Sequence, residues 1–270
     1  VMTTPSDERF ADVGRGITLC FDEIGDAAAP PILMISGLGQ QLISWPTAMC
    51  ESLADRGFRV IRFDNRDSGR STHIESRPPG AVAMMTGRFP SGTYNLGDMA
   101  RDTCGLLDAL DVGSAHVVGA SMGGMIAQVL ASRYPERVRT LTSMFSTTGA
   151  PNIGRPALST WLKLAARPPR SESEAVETEI RMFRHIGSHG FHFDRPKLAE
   201  LAAAAWRRDS TTDGVSRQLA AILVSGDRTS ELAHVAAPTL VIHGDRDRMV
   251  ATTGGHATHR AIPHSELWIV

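Results

Sequence analysis

The stretch 116–125 reads His-Val-Val-Gly-Ala-Ser-Met-Gly-Gly-Met and sets one serine, Ser121, between Gly119 and Gly123. An apolar, β-type run precedes it, and a helix-compatible run of small and apolar residues, Met125 to Ala131, follows. Strand, G-x-S-x-G and helix in that order form the pattern of a nucleophile elbow, a sharp turn that holds a hydroxyl exposed at the rim of a sheet. A serine hydroxyl attacks well only when a base takes its proton. A side chain at 119 or 123 would crowd such a turn, and the helix that follows would aim backbone N–H groups at a developing oxyanion. The chemistry that fits is nucleophilic attack.

Such a serine needs a base, an acid to orient the base, and an oxyanion hole. The acids stand after the apolar run Thr239 to His243, in Gly244-Asp245-Arg246-Asp247-Arg248-Met249-Val250. A loop after a parallel strand opens at the carboxyl edge of the sheet, where α/β proteins hold their ligands. Asp247 is the expected triad acid, and Asp245 is expected to pair with Arg246 or Arg248 at the surface. Ser36-Gly37-Leu38-Gly39 follows an earlier apolar run. The Leu38 and Met122 N–H groups are the expected oxyanion donors. The glycines there either let backbone approach a substrate closely or simply make a turn. Trp45 either walls the substrate pocket or staples the helix after it. In the segment 64–71, Asp-Asn-Arg-Asp-Ser-Gly-Arg-Ser, structural pairing of Asp64 with Arg66 or Arg70 is expected.

Strand-like runs at 17–21, 32–36, 58–63, 115–119, 138–145, 239–243 and 267–270 alternate with helical patterns at 46–55, 96–110 and 122–134. The alternation predicts an α/β fold with a mainly parallel central sheet and helices on both faces. Asn95 reads as the start signal of the helix after it. From about Thr147 to Asp213 the alternation stops. Pro151, Pro156, Pro168, Pro169 and Pro196 punctuate helical pieces at 158–166, 173–185 and 196–208. The expected organisation is a core (1–146), a helical cap insertion (147–213) and the second part of the core (214–270). The cap is expected to lie over a pocket, with a bundle packed on the sheet edge as the alternative.

A chain of 270 residues with 42% hydrophobic residues can bury one large core. With a formal charge of −1, no global field favours nucleic acid or an anionic membrane. Cys20, Cys50 and Cys104 sit in apolar segments without C-x-x-C spacing, which predicts buried free thiols and a reducing compartment. The polar start 1–9 carries no signal pattern, and no apolar run approaches the roughly 18 residues of a membrane span. A cytoplasmic protein is expected. Neither a metal nor a nucleotide cofactor is expected, since no zinc-type spacing and no phosphate-binding loop stands in the sequence.

Taken together, 36–39, 64–71, Gly119-Ala120-Ser121-Met122-Gly123-Gly124, Tyr134-Pro135-Glu136-Arg137-Val138 and His243-Gly244-Asp245-Arg246-Asp247 resemble the α/β-hydrolase superfamily over nearly the whole chain. The closest resemblance is to serine esterases of the aclacinomycin methylesterase type. It implies Ser121 as nucleophile, Asp247 as triad acid and Leu38 with Met122 as oxyanion donors. Ser36 stands where the family more often has histidine. A serine at 121, rather than aspartate, separates the chain from epoxide hydrolases and haloalkane dehalogenases. The resemblance places the base after the last strand, whereas His256, His259 and His264 all precede or open it. The sequence expectation is therefore a base beyond Val270, in a chain about 20 to 30 residues longer. The expected activity is cofactor-independent cleavage of a carboxylic ester of a small or medium apolar molecule through an acyl-enzyme. Carbon–carbon bond hydrolysis, acyl transfer or perhydrolysis with the same triad, and non-catalytic ligand binding, are the alternatives.

Overall fold

In the computed structural model, which describes residues 7–164, 166–188 and 190–270, one sheet organises the chain. Its strands are β1 (Arg9–Asp12), β2 (Thr18–Ile24), β3 (Pro31–Ile35), β4 (Arg59–Phe63), β5 (Ala115–Ala120), β6 (Val138–Met144), β7 (Thr239–His243) and β8 (Glu266–Ile269). The order across the sheet is β1-β2-β4-β3-β5-β6-β7-β8. The β1–β2 and β2–β4 pairs are antiparallel and every other pair is parallel. The carboxyl ends of β3 to β8 therefore share one edge.

The helices are α1 (Thr47–Ala54), α2 (Ala81–Thr86), α3 (Leu96–Ala109), α4 (Met122–Arg133), α5 (Leu158–Leu164), α6 (Glu172–Ile186), α7 (Arg195–Arg208), α8 (Asp213–Ser225), α9 (Thr229–Leu232) and α10 (Thr253–Ala261). Every residue of β3 is buried, as a strand covered on both faces requires. Its side chains alternate between two cores. Leu33 and Ile35 join the larger core, with Leu96, Met99 and Leu107 of α3 and Ile126 and Leu130 of α4. Ile32 and Met34 face the smaller one, with Cys50 and Ala54 of α1. The Asn95 start signal is realised as a capping box. Its Oδ1 accepts from Gly97 and Asp98 N–H, and Asp98 Oδ2 accepts from Asn95 N–H.

The α/β fold read from the sequence is the fold observed. Several elements were not anticipated, β1 and α8 among them. β1 is an exposed edge strand with only Ala11 buried, so its sequence carries no period-two signal. α8 buries Gly214, Arg217 and Gln218 beside Ala220 and Ala221, and a half-polar buried face hides helical periodicity. The segment 147–213 holds α5, α6 and α7, with α6 and α7 packed on each other. The three cysteines are buried and free. Among the described residues no helix is long and apolar enough to cross a membrane. Of the polar start, 1–6 lie outside the described residues.

Candidate active site

β5 ends at Ala120 and α4 begins at Met122, which leaves Ser121 alone in the bend. Its φ of 55° and ψ of −118° form a backbone conformation that costs an L-residue strain. Three bonds hold it. Ser121 N–H donates to the Met144 carbonyl at 2.8 Å, and the Ser121 carbonyl accepts from Ser146 Oγ at 3.0 Å and Met125 N–H at 3.1 Å. No hydrogen bond among the described residues occupies Ser121 Oγ. Both flanking glycines are sterically required, since a Cβ on Gly119 would overlap the Gly123 carbonyl and one on Gly123 would overlap the Ile35 carbonyl.

Ile35 ends β3, so the second contact also seats the loop after β3 against the elbow. A Cβ on Gly37 would lie 3.4 Å from Ser121 Cβ. The loop is pinned by its neighbours. Asn65 Nδ2 donates to the Ser36 carbonyl at 3.1 Å, Ser68 Oγ to the Gln40 carbonyl at 2.9 Å, and Leu42 N–H to Asp64 Oδ1 at 2.6 Å. Among the described residues no acceptor engages the Leu38 or Met122 N–H. Met122 opens α4, where N–H groups have no intrahelical partner. Two backbone donors therefore stand beside the serine, unspent.

The loop after β7 separates its two carboxylates. Asp247 is shielded, its side chain 12% exposed, and its Oδ1 accepts from Met249 N–H at 2.7 Å and Val250 N–H at 3.0 Å. Asp245 is 61% exposed and its Oδ2 lies 3.7 Å from Arg246 Nε. Beside Asp247 stands His243, a neighbour that the sequence reading passed over, with Nε2 at 3.6 Å from Asp247 Oδ2. Its Nε2 is 2.7 Å from the Val250 carbonyl, which accepts only, so Nε2 carries the proton. Nδ1 is buried, without a hydrogen-bond partner among the described residues, against Gly255, where a Cβ would come within 2.7 Å of it. His243 thus turns its basic nitrogen toward α10. His256 is exposed on α10, His259 Nδ1 lies 2.9 Å from Ser265 Oγ, and His264 is exposed in the turn at the amino end of β8.

Trp45 is 6% exposed and packs among Ile24, Met34, Cys50 and Ala54 in the smaller core. Of its two expected roles, this is the one that fastens the following helix, and it revises the pocket-wall reading. The expected pairing of Asp64 is also revised. The guanidinium of Arg66 binds Asp102 at 2.5 and 2.6 Å, and that of Arg70 binds Glu8 at 2.8 Å. Fully buried Asp64 instead accepts from Arg208 of α7 at 2.8 Å and from the backbone N–H groups of Leu42 and Arg70. Burial pushes its carboxyl up, and the Arg208 charge opposes that shift.

The segment 147–213 touches both sides of the site. Gln40 Nε2 donates to Glu179 Oε1 of α6 at 3.0 Å, and Gln41 Nε2 donates to the Ala205 carbonyl of α7 at 2.9 Å. Thr160 Oγ1 of α5 donates to the Arg248 carbonyl at 2.9 Å, beside Asp247. Phe145 is a second residue the sequence reading passed over. It has φ of 52°, a strained value for an aromatic residue, and stands edge-on to His243 at the carboxyl end of β6. Among the described residues no group of three or more His, Cys, Asp or Glu side chains gathers as a metal site would need.

Comparison with known proteins agrees with this fold. The sequence profile of the alpha/beta hydrolase fold matches residues 30–270. Rhodomycin D methylesterase DauP of Streptomyces sp. (strain C5) is 32% identical over 267 residues, which cover 91% of this chain and 84% of that protein. A 2-hydroxy-6-oxononadienedioate/2-hydroxy-6-oxononatrienedioate hydrolase of Cupriavidus pinatubonensis is 29% identical over 278 residues, with 99% and 89% covered. Among solved structures, a hydrolase from Pseudomonas aeruginosa superposes with a TM-score of 0.70 at 25% identity, covering 98% of this chain and 90% of that one. With its sheet order, its strained serine between β5 and α4 and a profile match over most of its length, the chain belongs to the α/β-hydrolase fold family.

Proposed function

We propose that the protein is a serine hydrolase that cleaves a carboxylic ester of a small or medium apolar molecule through an acyl-enzyme, without a cofactor. The observation that carries this reading is the strained Ser121, half-buried at the carboxyl edge beside the unengaged N–H groups of Leu38 and Met122. Ser121 Oγ attacks the ester carbonyl carbon and passes its proton to a histidine. The carbonyl oxygen becomes negative and is received by the two N–H groups. The alcohol leaves with the proton from the histidine, and water then releases the acid by the same steps. Asp247 orients the histidine and offsets its positive charge. His243 and His259 are hydrogen-bonded elsewhere, His256 and His264 are exposed on and after α10, and none of them is assigned as the base.

The methylesterase relatives support an ester as substrate. A second reading, hydrolysis of a carbon–carbon bond, is favoured by the relative from Cupriavidus pinatubonensis, which matches nearly the whole chain. The test compares turnover of a methyl-ester panel with that of a 2-hydroxy-6-oxodienoate, for the parent and for Ser121→Ala. Ester turnover lost in the variant supports the first reading, and dienoate turnover without ester turnover selects the second.

A further inference from the structure

Gln218 of α8 reaches the turn that carries Leu38. It is fully buried, and both ends of its amide are used. Oε1 accepts from Gly39 N–H at 2.8 Å and Nε2 donates to the Arg66 carbonyl at 2.8 Å. One partner only donates and the other only accepts, so the amide has a single satisfied orientation. Gln40 N–H closes the turn by donating to the Gly37 carbonyl at 3.1 Å, and Gly39 has φ of 66°. A left-handed third residue is the mark of a type II turn. Rotating the central Leu38–Gly39 peptide by roughly 180° would convert it to type I and remove the N–H from Gln218. Val215, on the same helix, closes the space beside the turn, since a Cβ on Gly39 would lie 2.9 Å from Val215 Cγ2.

We infer that Gln218 is a positioning residue of the oxyanion hole: by tying the Gly39 N–H to the loop after β4 it fixes the turn as a whole, and with it the Gly37–Leu38 peptide whose N–H faces the ester oxygen as it becomes negative. The inference rests on the serine-hydrolase reading. Arg217, the preceding residue, supplies the contrast. It binds Asp67 at 2.7 to 3.0 Å and donates to the Ser76 carbonyl at 3.0 Å, and it makes no hydrogen bond with the turn. Arg217 fastens α8 to the loop after β4, whereas Gln218 joins that loop to the oxyanion turn.

The experiment uses the full-length parent, Gln218→Leu, Gln218→Glu and Arg217→Met. It reads the rate at which a fluorophosphonate bonds to Ser121 Oγ with loss of fluoride, kcat and KM for 4-nitrophenyl butyrate, and the folded fraction. Gln218→Leu is expected to slow phosphonylation and kcat by about 10- to 100-fold, with KM changed by less than about threefold. Gln218→Glu is expected to recover relative to the parent as pH falls, because a protonated carboxyl again donates to the Arg66 carbonyl. Arg217→Met is expected to unfold more readily and yet to react at the parental rate per folded molecule. Parental phosphonylation in Gln218→Leu, or a loss no greater than in Arg217→Met, overturns the inference. A parent that takes no label at Ser121 overturns the serine-hydrolase reading itself, and that outcome is distinct from the other two.

Discussion

The carbonyl of Ile35 lies directly against Gly123, with no room for a Cβ between them. The end of the β3 strand, which leads into the oxyanion turn, is thereby fixed to the helix that follows the nucleophile. The distance between the two proposed oxyanion donors, Leu38 N–H and Met122 N–H, depends on this contact. Gly123→Ala is expected to push the two apart, to lower kcat/KM for a 4-nitrophenyl ester by at least about 100-fold and to cost roughly 1–3 kcal/mol of stability through overpacking. Denaturant melts and steady-state rates check both parts, and a variant as active and stable as the parent would show that the contact is not needed.

For the acid loop the expectation is a contrast. Asp247→Asn keeps an oxygen to accept from Met249 and Val250 N–H, so the loop should hold its shape while the charge beside the base is lost. A loss of about 10⁴-fold in kcat is expected, less than for Ser121→Ala. Asp245→Asn, at the surface beside Arg246, should change kcat by no more than a few-fold. Should the two substitutions exchange their effects, the acid is Asp245.

Arg208 joins α7 to Asp64 and Glu8, and it is almost fully shielded from solvent. Removing it leaves the fully buried Asp64 carboxylate with backbone donors alone, at a cost of about 3–5 kcal/mol. Arg208→Met should therefore lower the unfolding free energy by that amount in urea. A change below about 1 kcal/mol would mean that α7 is held to the core by other contacts.

Substrate choice is expected to follow residues of the helical segment 147–213, which touches both the oxyanion turn and the loop of Asp247. Replacing Trp161 or Phe183 by Ala should reorder the rates of an ester chain-length series by more than it changes the rate on 4-nitrophenyl acetate. Uniform changes across the series would assign these two side chains to packing alone.

The parts legible in the sequence were those written in local pattern. The elbow needed only two glycines and a serine after a strand, and the Asn95 cap needed only the first turn of α3. What stayed hidden was decided at long range. Asp64 pairs with Arg208, far along the chain and beyond any local motif. Gln218 and Arg217 lie on the buried face of α8, so the helix that orders the oxyanion turn lacks an apolar stripe. His243 closes the strand β7, and only the fold of the next turn brings Asp247 beside it. Trp45 offered two roles of equal weight, and only the packing of α1 on the sheet chose between them.

Mass mapping of a fluorophosphonate adduct tests the central claim most directly, because it needs no knowledge of the natural substrate. The account predicts a single adduct on the peptide that carries Ser121 in the full-length protein, and none in a folded Ser121→Ala variant. An adduct on another serine, or labelling that persists unchanged in Ser121→Ala, would contradict it.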